Sequence, residues 1–306
     1  MSLCAALAGV AFMVLGARGN WSFILVFRGT KLVALVTVAI AIAVATVVFQ
    51  TITANRILTP AVMGFDALYI LIQASLVFAF GGLGYAMLGA ELKFAIDLVV
   101  LSAAALGLFG TLLGRGVQDL FRMLLVGVVF GVLFRSLTNL LSRLNDPSEF
   151  AVFQGSLFAS FNRIDTSLLI VTVPLVAVLC GIIWKKRTVL DVMALGRETA
   201  TGLGVCYQRE VVTGLALVAG LVAVSTALVG VVSFFGLLVS ALSYEFIKTH
   251  RHGPIFVSAS LISIIVLVGG QAVFERVLGM AATLGIVIEF LGGLVFLLLI
   301  LKKVRT

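Results

Sequence analysis

The 306-residue chain carries 62% hydrophobic and only 11% charged residues, where soluble domains carry about 45–50% and 25%, so it cannot clothe a soluble surface and reads as a membrane protein. Its formal charge of +8 is spread through short loops between apolar runs, a pattern that orients a membrane protein and excludes a nucleic-acid-binding face. Cys4, Cys180 and Cys206 have no paired spacing, which excludes a disulfide framework and a zinc site.

A membrane-crossing helix needs about 20 apolar residues to span about 30 Å of hydrocarbon. Taken in chain order, the predicted spans are 3–17, 32–50, 61–80, 94–114, 121–144, 167–184, 254–274 and 281–301, with one longer uncharged stretch at 211–244. The first is short and resembles a signal-peptide core. No basic residue precedes it, however, and Leu15-Gly16-Ala17 is a poor cleavage site, so an intact span is expected. As one helix, 211–244 would run about 51 Å, too long for a single crossing. Lys185, Lys186, Arg187, Arg197 and Arg209 precede it, and Lys248 and Arg251 follow it. Basic clusters stay in the cytoplasm, so the stretch is expected to cross twice, with an outer turn at Gly230. The result is an all-α, polytopic, single-domain protein over 1–306 with about ten transmembrane helices and both termini cytoplasmic.

Glycine pairs inside spans, such as Gly127 and Gly131, point to close backbone approach. The run from Gly81 to Gly89 superficially resembles a dinucleotide loop, but position 87 is Met and the run follows a membrane span, so it reads as an outer connection. His250 and His252 flank Arg251 with no ligand partner at useful spacing, and they read as a solvated loop. Asp97, Arg135 and Glu289 lie in apolar surroundings, where ionisable groups usually face protein or a water-filled path, and they are the candidate pathway residues. No phosphate-binding loop, catalytic nucleophile, metal site or cofactor motif is present, so an enzyme is not expected.

Three stretches carry a resemblance. Asn55-Arg56-Ile57-Leu58-Thr59-Pro60 runs on to Gly64-Phe65-Asp66; Ala194-Leu195-Gly196 is followed by Ala200 and by Leu203-Gly204; and Phe234-Phe235-Gly236-Leu237 comes last. Their order and spacing resemble the vitamin B12 and iron-siderophore permeases of type II ABC importers. Ser240-Ala241 replaces that family's Pro-His, and Leu284-Gly285-Ile286 replaces its Leu-Pro-Ile-Gly. The first stretch, together with Val268-Gly269-Gly270-Gln271 and Glu275-Arg276, looks like the catecholate-siderophore subgroup.

The resemblance implies a permease in the bacterial inner (cytoplasmic) membrane, working with a separate ATP-binding ABC subunit, a periplasmic substrate-binding protein and a second permease, identical or paralogous. The cargo it implies is a ferric siderophore. A chelated ferric ion has its coordination filled, so Glu289 is not expected to ligate iron. The segment of about 188–206 would be the ATPase-coupling elbow, with Ala194, Leu195, Gly196, Ala200, Leu203 and Gly204 at its centre. Its pattern fits two short helices, Val189–Leu195 and Glu198–Leu203, broken at Gly196 and closed at Gly204. Arg28 and Lys31 look like the family's basic pair for docking the binding protein, and Arg276 lies near a third such position. Snorkelling to lipid headgroups is the other reading of these cations. The alternative from another class is an ion-gradient-driven secondary transporter using Asp97 and Glu289, which would have no need of the elbow.

Overall fold

The computed structural model describes residues 1–14, 21–113, 120–146 and 165–276, and near the C-terminus 285, 287–290 and 292–294. Most of the predicted span 281–301 and the basic end at Lys302, Lys303 and Arg305 lie outside the described residues. The described chain is helical: α1 (Ser2–Val14), α2 (Trp21–Ile52), a 3₁₀ turn (Pro60–Met63), α3 (Phe65–Met87), α4 (Ala90–Leu113), α5 (Leu120–Leu144), α6 (Thr166–Lys185), α7 (Arg187–Met193), α8 (Arg197–Gly202), α9 (Tyr207–Val229), α10 (Phe235–Phe246) and α11 (His252–Arg276). Six of these are long and apolar enough to cross a membrane: α2, α3, α5, α6, α9 and α11.

The long helix α2 is the centre. Ala34, Leu35, Val38, Ala39, Ala41, Ala43, Val47 and Phe49 are buried on successive faces, because a helix that is apolar all round is surrounded on all sides. Helix α11 packs along it in antiparallel fashion, and hydrogen bonds fix the register at three levels. Thr51 Oγ1 meets His252 Nε2 at 2.7 Å, the Ser263 hydroxyl donates to the Ala39 carbonyl at 2.7 Å, and the Lys31 ammonium pairs with Glu275. Helix α9 lies against α2 on another side, where Ile52 and Val48 close over Gly214.

The predicted break at Gly230 is present, with φ of 94° ending α9. Its surroundings are protein: Gly230, Val231 and Val232 are buried. Helix α10 has 12 residues, about 18 Å, which is short of a full crossing, and it starts beside the C-terminal third of α2, where Thr46 leaves no room for a Cβ on Gly236. The segment after α2 folds back in a matching way. The Arg56 carbonyl accepts from Gln50 Nε2 at 2.7 Å, and Thr59, Met63 and Phe65 are buried. Gly64 has φ of 85°, and a Cβ there would sit 2.9 Å from Gly131 Cα, so this fold-back depends on glycine on both sides.

Two further readings are corrected. The Gly81–Gly89 run is mostly helix: α3 continues to Met87 across a kink at Gly81, and Tyr85 reaches back over the kink to Gln73. His252 is 3% exposed and belongs to the start of α11, so it is not a solvated loop residue.

Candidate functional site

The elbow begins where α6 ends. Lys186 Nζ pairs with Glu210 Oε2 at 2.6 Å, which fastens the entry to the start of α9. Helices α7 and α8 follow, each within about two residues of its predicted bounds, joined at Gly196 (φ 98°) and closed by Gly204 (φ 85°). Leu190, Met193 and Ala200 point inward and are buried. Ala194 and Gly196 are exposed, and Leu195 and Leu203 stand 62% and 63% exposed. A Cβ at Gly196, Gly202 or Gly204 would meet nothing within 4 Å, so Gly196 and Gly204 are required by backbone conformation rather than by crowding within this chain. The result is a small, backbone-defined protrusion with two leucines on its outer surface, a shape suited to a cleft in another protein.

The opposite end of the α2–α11 pair holds the predicted docking cations. Lys31 is 7% exposed and paired with Glu275, which also accepts from Gln271 Nε2 at 2.7 Å. The ammonium of Lys31, read from the sequence as a docking cation, is thus paired with Glu275 within the chain. Arg28 is half-buried, and its guanidinium donates to the Met13 carbonyl at 2.8 Å, capping the C-terminal turn of α1. Arg276 ends α11, and its side chain lies outside the described residues.

The three interior charges separate into two groups. Asp97 on α4 is buried and accepts from Gln73 Nε2 at 2.9 Å through both oxygens, while Tyr85 donates to Gln73 Oε1 at 2.8 Å. That chain of bonds joins α3 to α4. Arg135 and Glu289 lie elsewhere, both within electrostatic range of Asp66, a carboxylate that accepts from the Ser233 hydroxyl. Arg135 is exposed and Glu289 half-buried. Asp66 also lines a cavity of about 30 Å³ with Thr46, Thr59, Ser225, Thr226 and Ser233, between the two fold-back segments. A larger cavity of about 380 Å³, walled by Phe65, Leu68, Phe130 and Phe134 among others, lies between α3, α4 and α5 and is almost wholly apolar.

Asp66 and the pair His252–Asp191 are the functional candidates that sequence reading missed. Asp66 carried a usable signal, since a carboxylate in the first turn of a helix after a left-handed glycine is placed by the helix dipole. His252 carried none, because its partners are 61 and 201 residues away. Among the described residues, no group of three or more His, Cys, Asp or Glu side chains is placed to hold a metal ion.

Residues 4–302 match the FecCD transport family. The chain is 42% identical over 305 residues to the petrobactin import system permease protein YclO of Bacillus subtilis, covering 98% of this chain and 96% of that one. It is 36% identical to the petrobactin import system permease protein FatC of Bacillus anthracis, over 90% of this chain and 78% of that one. The fold superposes on an inward-facing metal-chelate type ABC transporter with a TM-score of 0.81 at 20% identity, covering 98% of this chain and 97% of the other. With a family match over nearly its whole length and a relative 42% identical along almost all of both chains, the chain belongs to the FecCD transport family.

Proposed function

We propose that the chain is the membrane-spanning permease subunit of an ATP-driven importer for ferric siderophores, with petrobactin-class catecholate chelates as its cargo. Family membership and two petrobactin permease relatives support the cargo. The observation that carries the mechanism is the elbow of α7 and α8, whose outer leucines stand 62% and 63% exposed. A separate ATPase subunit would grip Leu195 and Leu203 around Gly196, with Ala194 and Ala200 keeping the joint slim and Gly204 closing it. Closure of the ATPases on ATP would then move α7 and α8 against the bundle. A carrier driven by an ion gradient has no use for such a protrusion, and Asp97, one of the two residues that reading would employ, is engaged in bonds between α3 and α4.

In this reading the chain crosses the cytoplasmic membrane ten times with both ends inside. Residues 230–234 and α10 together would make the eighth crossing. A second permease would face the surface carrying Arg135, Asp66 and Glu289, placing these charges along the path between the two subunits. A substrate-binding protein would dock at the end bearing Arg28 and Arg276, where rim charges steer encounter more than they hold the complex.

The test is reconstitution. The permease, expressed with its genomic ATPase partner and a binding protein, should copurify with the ATPase and take up ferric petrobactin in proteoliposomes only with ATP inside. Uptake driven by a sodium or proton gradient without ATP would overturn the assignment, and uptake of ferric hydroxamates in preference to petrobactin would overturn the cargo.

A further inference from the structure

One imidazole joins three helices at the elbow end of the bundle. Asp191 lies in the middle of α7, and its Oδ1 accepts from both the backbone N–H and the ring Nδ1 of His252, each at 2.6 Å. The α7 carboxylate thus caps the N-terminus of α11, where the helix dipole favours negative charge. A carboxylate only accepts, so Nδ1 carries a proton, and Nε2 meets the hydroxyl of Thr51 at 2.7 Å in the last turn of α2, where that hydroxyl also bonds the Val47 carbonyl at 2.9 Å. Phe256 covers the ring, with centroids 5.7 Å apart.

This bridge stands at one end of a long rigid pair. Helices α2 and α11 are bonded again at Ala39–Ser263 and at Lys31–Glu275, so whatever displaces Thr51 and His252 displaces two helices locked together along their length. The other attachments of α7 are the buried apolar side chains of Leu190 and Met193 and, through its flank, the Lys186–Glu210 pair to α9. Apolar contact is non-directional and permits sliding, whereas short hydrogen bonds at both nitrogens of a buried ring fix distance and angle.

We propose that His252 is a positioning residue for energy coupling: its ring ties α7 to the α2–α11 pair, so that movement of the elbow reaches the far end of the bundle instead of being absorbed in the flanking loops. The proposal rests on the reading of 188–206 as the coupling segment, and its test separates the two. His252→Asn keeps an amide N–H beside Asp191 and withdraws from Thr51; Thr51→Val removes the same bond from the α2 side, with the hydroxyl's local bond to the Val47 carbonyl, and keeps the branched shape. Both leave the start of α11 capped. In the full complex in proteoliposomes, with ferric petrobactin as probe, each variant should lower uptake per ATP hydrolysed by roughly threefold to tenfold, the loss of one part-buried hydrogen bond.

The double variant should be no worse than either single one, because both remove one bond. His252→Ala, which loses both ring bonds, should uncouple further while basal ATP hydrolysis persists. A normal uptake-to-ATP ratio in His252→Asn and Thr51→Val, in monodisperse complexes, overturns the proposal. So does a parallel fall of uptake and hydrolysis with loss of the assembled complex, which would mark a merely structural residue. If the elbow glycine variants Gly196→Val and Gly204→Val also transport normally, the coupling reading falls as well. If those are uncoupled while the His252 and Thr51 variants are normal, only the role of His252 falls.

Discussion

Lys31 illustrates how a single residue changes meaning once its neighbours are known. In the sequence it is a cation just ahead of an apolar run, and docking or snorkelling are its natural roles. In the fold it is buried against Glu275, 244 residues away, and that partner has no local signature in the sequence. Removing one member of a buried ion pair strands the other charge and costs roughly 3–5 kcal/mol, while replacing both is often neutral. Lys31→Met or Glu275→Gln alone should therefore lower the thermal unfolding temperature of the purified permease in detergent, and the two together should restore most of it. A stable Lys31→Met single variant would return the residue to a docking role. Asp97 gives a complementary prediction. Its bonds to Gln73 are available to an amide oxygen as well, so Asp97→Asn should leave ATP-driven uptake unchanged, measured in the same proteoliposomes. Loss of uptake at normal expression would make Asp97 part of the transport chemistry.

At the scale of elements, breaks were legible where glycine makes them. The joint at Gly196 and the end of α9 at Gly230 both fall where the sequence places them, because a φ of 98° or 94° is strained for any residue with a Cβ. The fold-back of residues 53–64 and the half-length α10 were not legible. Hydropathy counts apolar residues, and buried irregular backbone has the same composition as a buried helix. Only contacts distinguish them, such as Gly64 against Gly131 and Gly236 against Thr46. The elbow carries the prediction that belongs here. A Cβ at Gly196 or Gly204 meets nothing within 4 Å, so insertion and folding of the helical body should survive the double change to valine, yet each change forces a left-handed backbone to refold at about 1–2 kcal/mol. The displaced elbow should abolish uptake while the permease still reaches the membrane at normal yield. Binding-protein-stimulated ATP hydrolysis should disappear, or the ATPase should fail to copurify. Normal uptake by the double variant would show that the protrusion couples nothing.

The whole molecule is organised along the α2–α11 axis, with the elbow at one end and Arg28, Lys31 and Glu275 at the other. The hydrogen bonds at Thr51, Ala39 and Lys31 make that polarity a property of the fold, whatever the surrounding bilayer. Met1 lies near Ser258, two turns into α11 from the elbow end, so α1 begins on the elbow side and its C-terminal carbonyls reach Arg28 on the other. The basic residues Lys185, Lys186, Arg187, Arg197 and Arg209 sit at the elbow end, and the distribution of positive charge predicts that this end faces the cytoplasm. Cysteine labelling tests this directly. Cys206 is exposed beside the elbow, and Gly89, between α3 and α4, is exposed with open space around it. With Cys4 and Cys180 replaced by serine and alanine, a chain retaining only Cys206 should resist a membrane-impermeant maleimide in intact spheroplasts and react once the membrane is permeabilised. A chain carrying Gly89→Cys with Cys206 replaced by alanine should react in the intact spheroplasts. Labelling of both from outside would place α3 or the elbow on the wrong side, and reversal of the two patterns would invert the whole axis, setting the elbow against the compartment that contains no ATP.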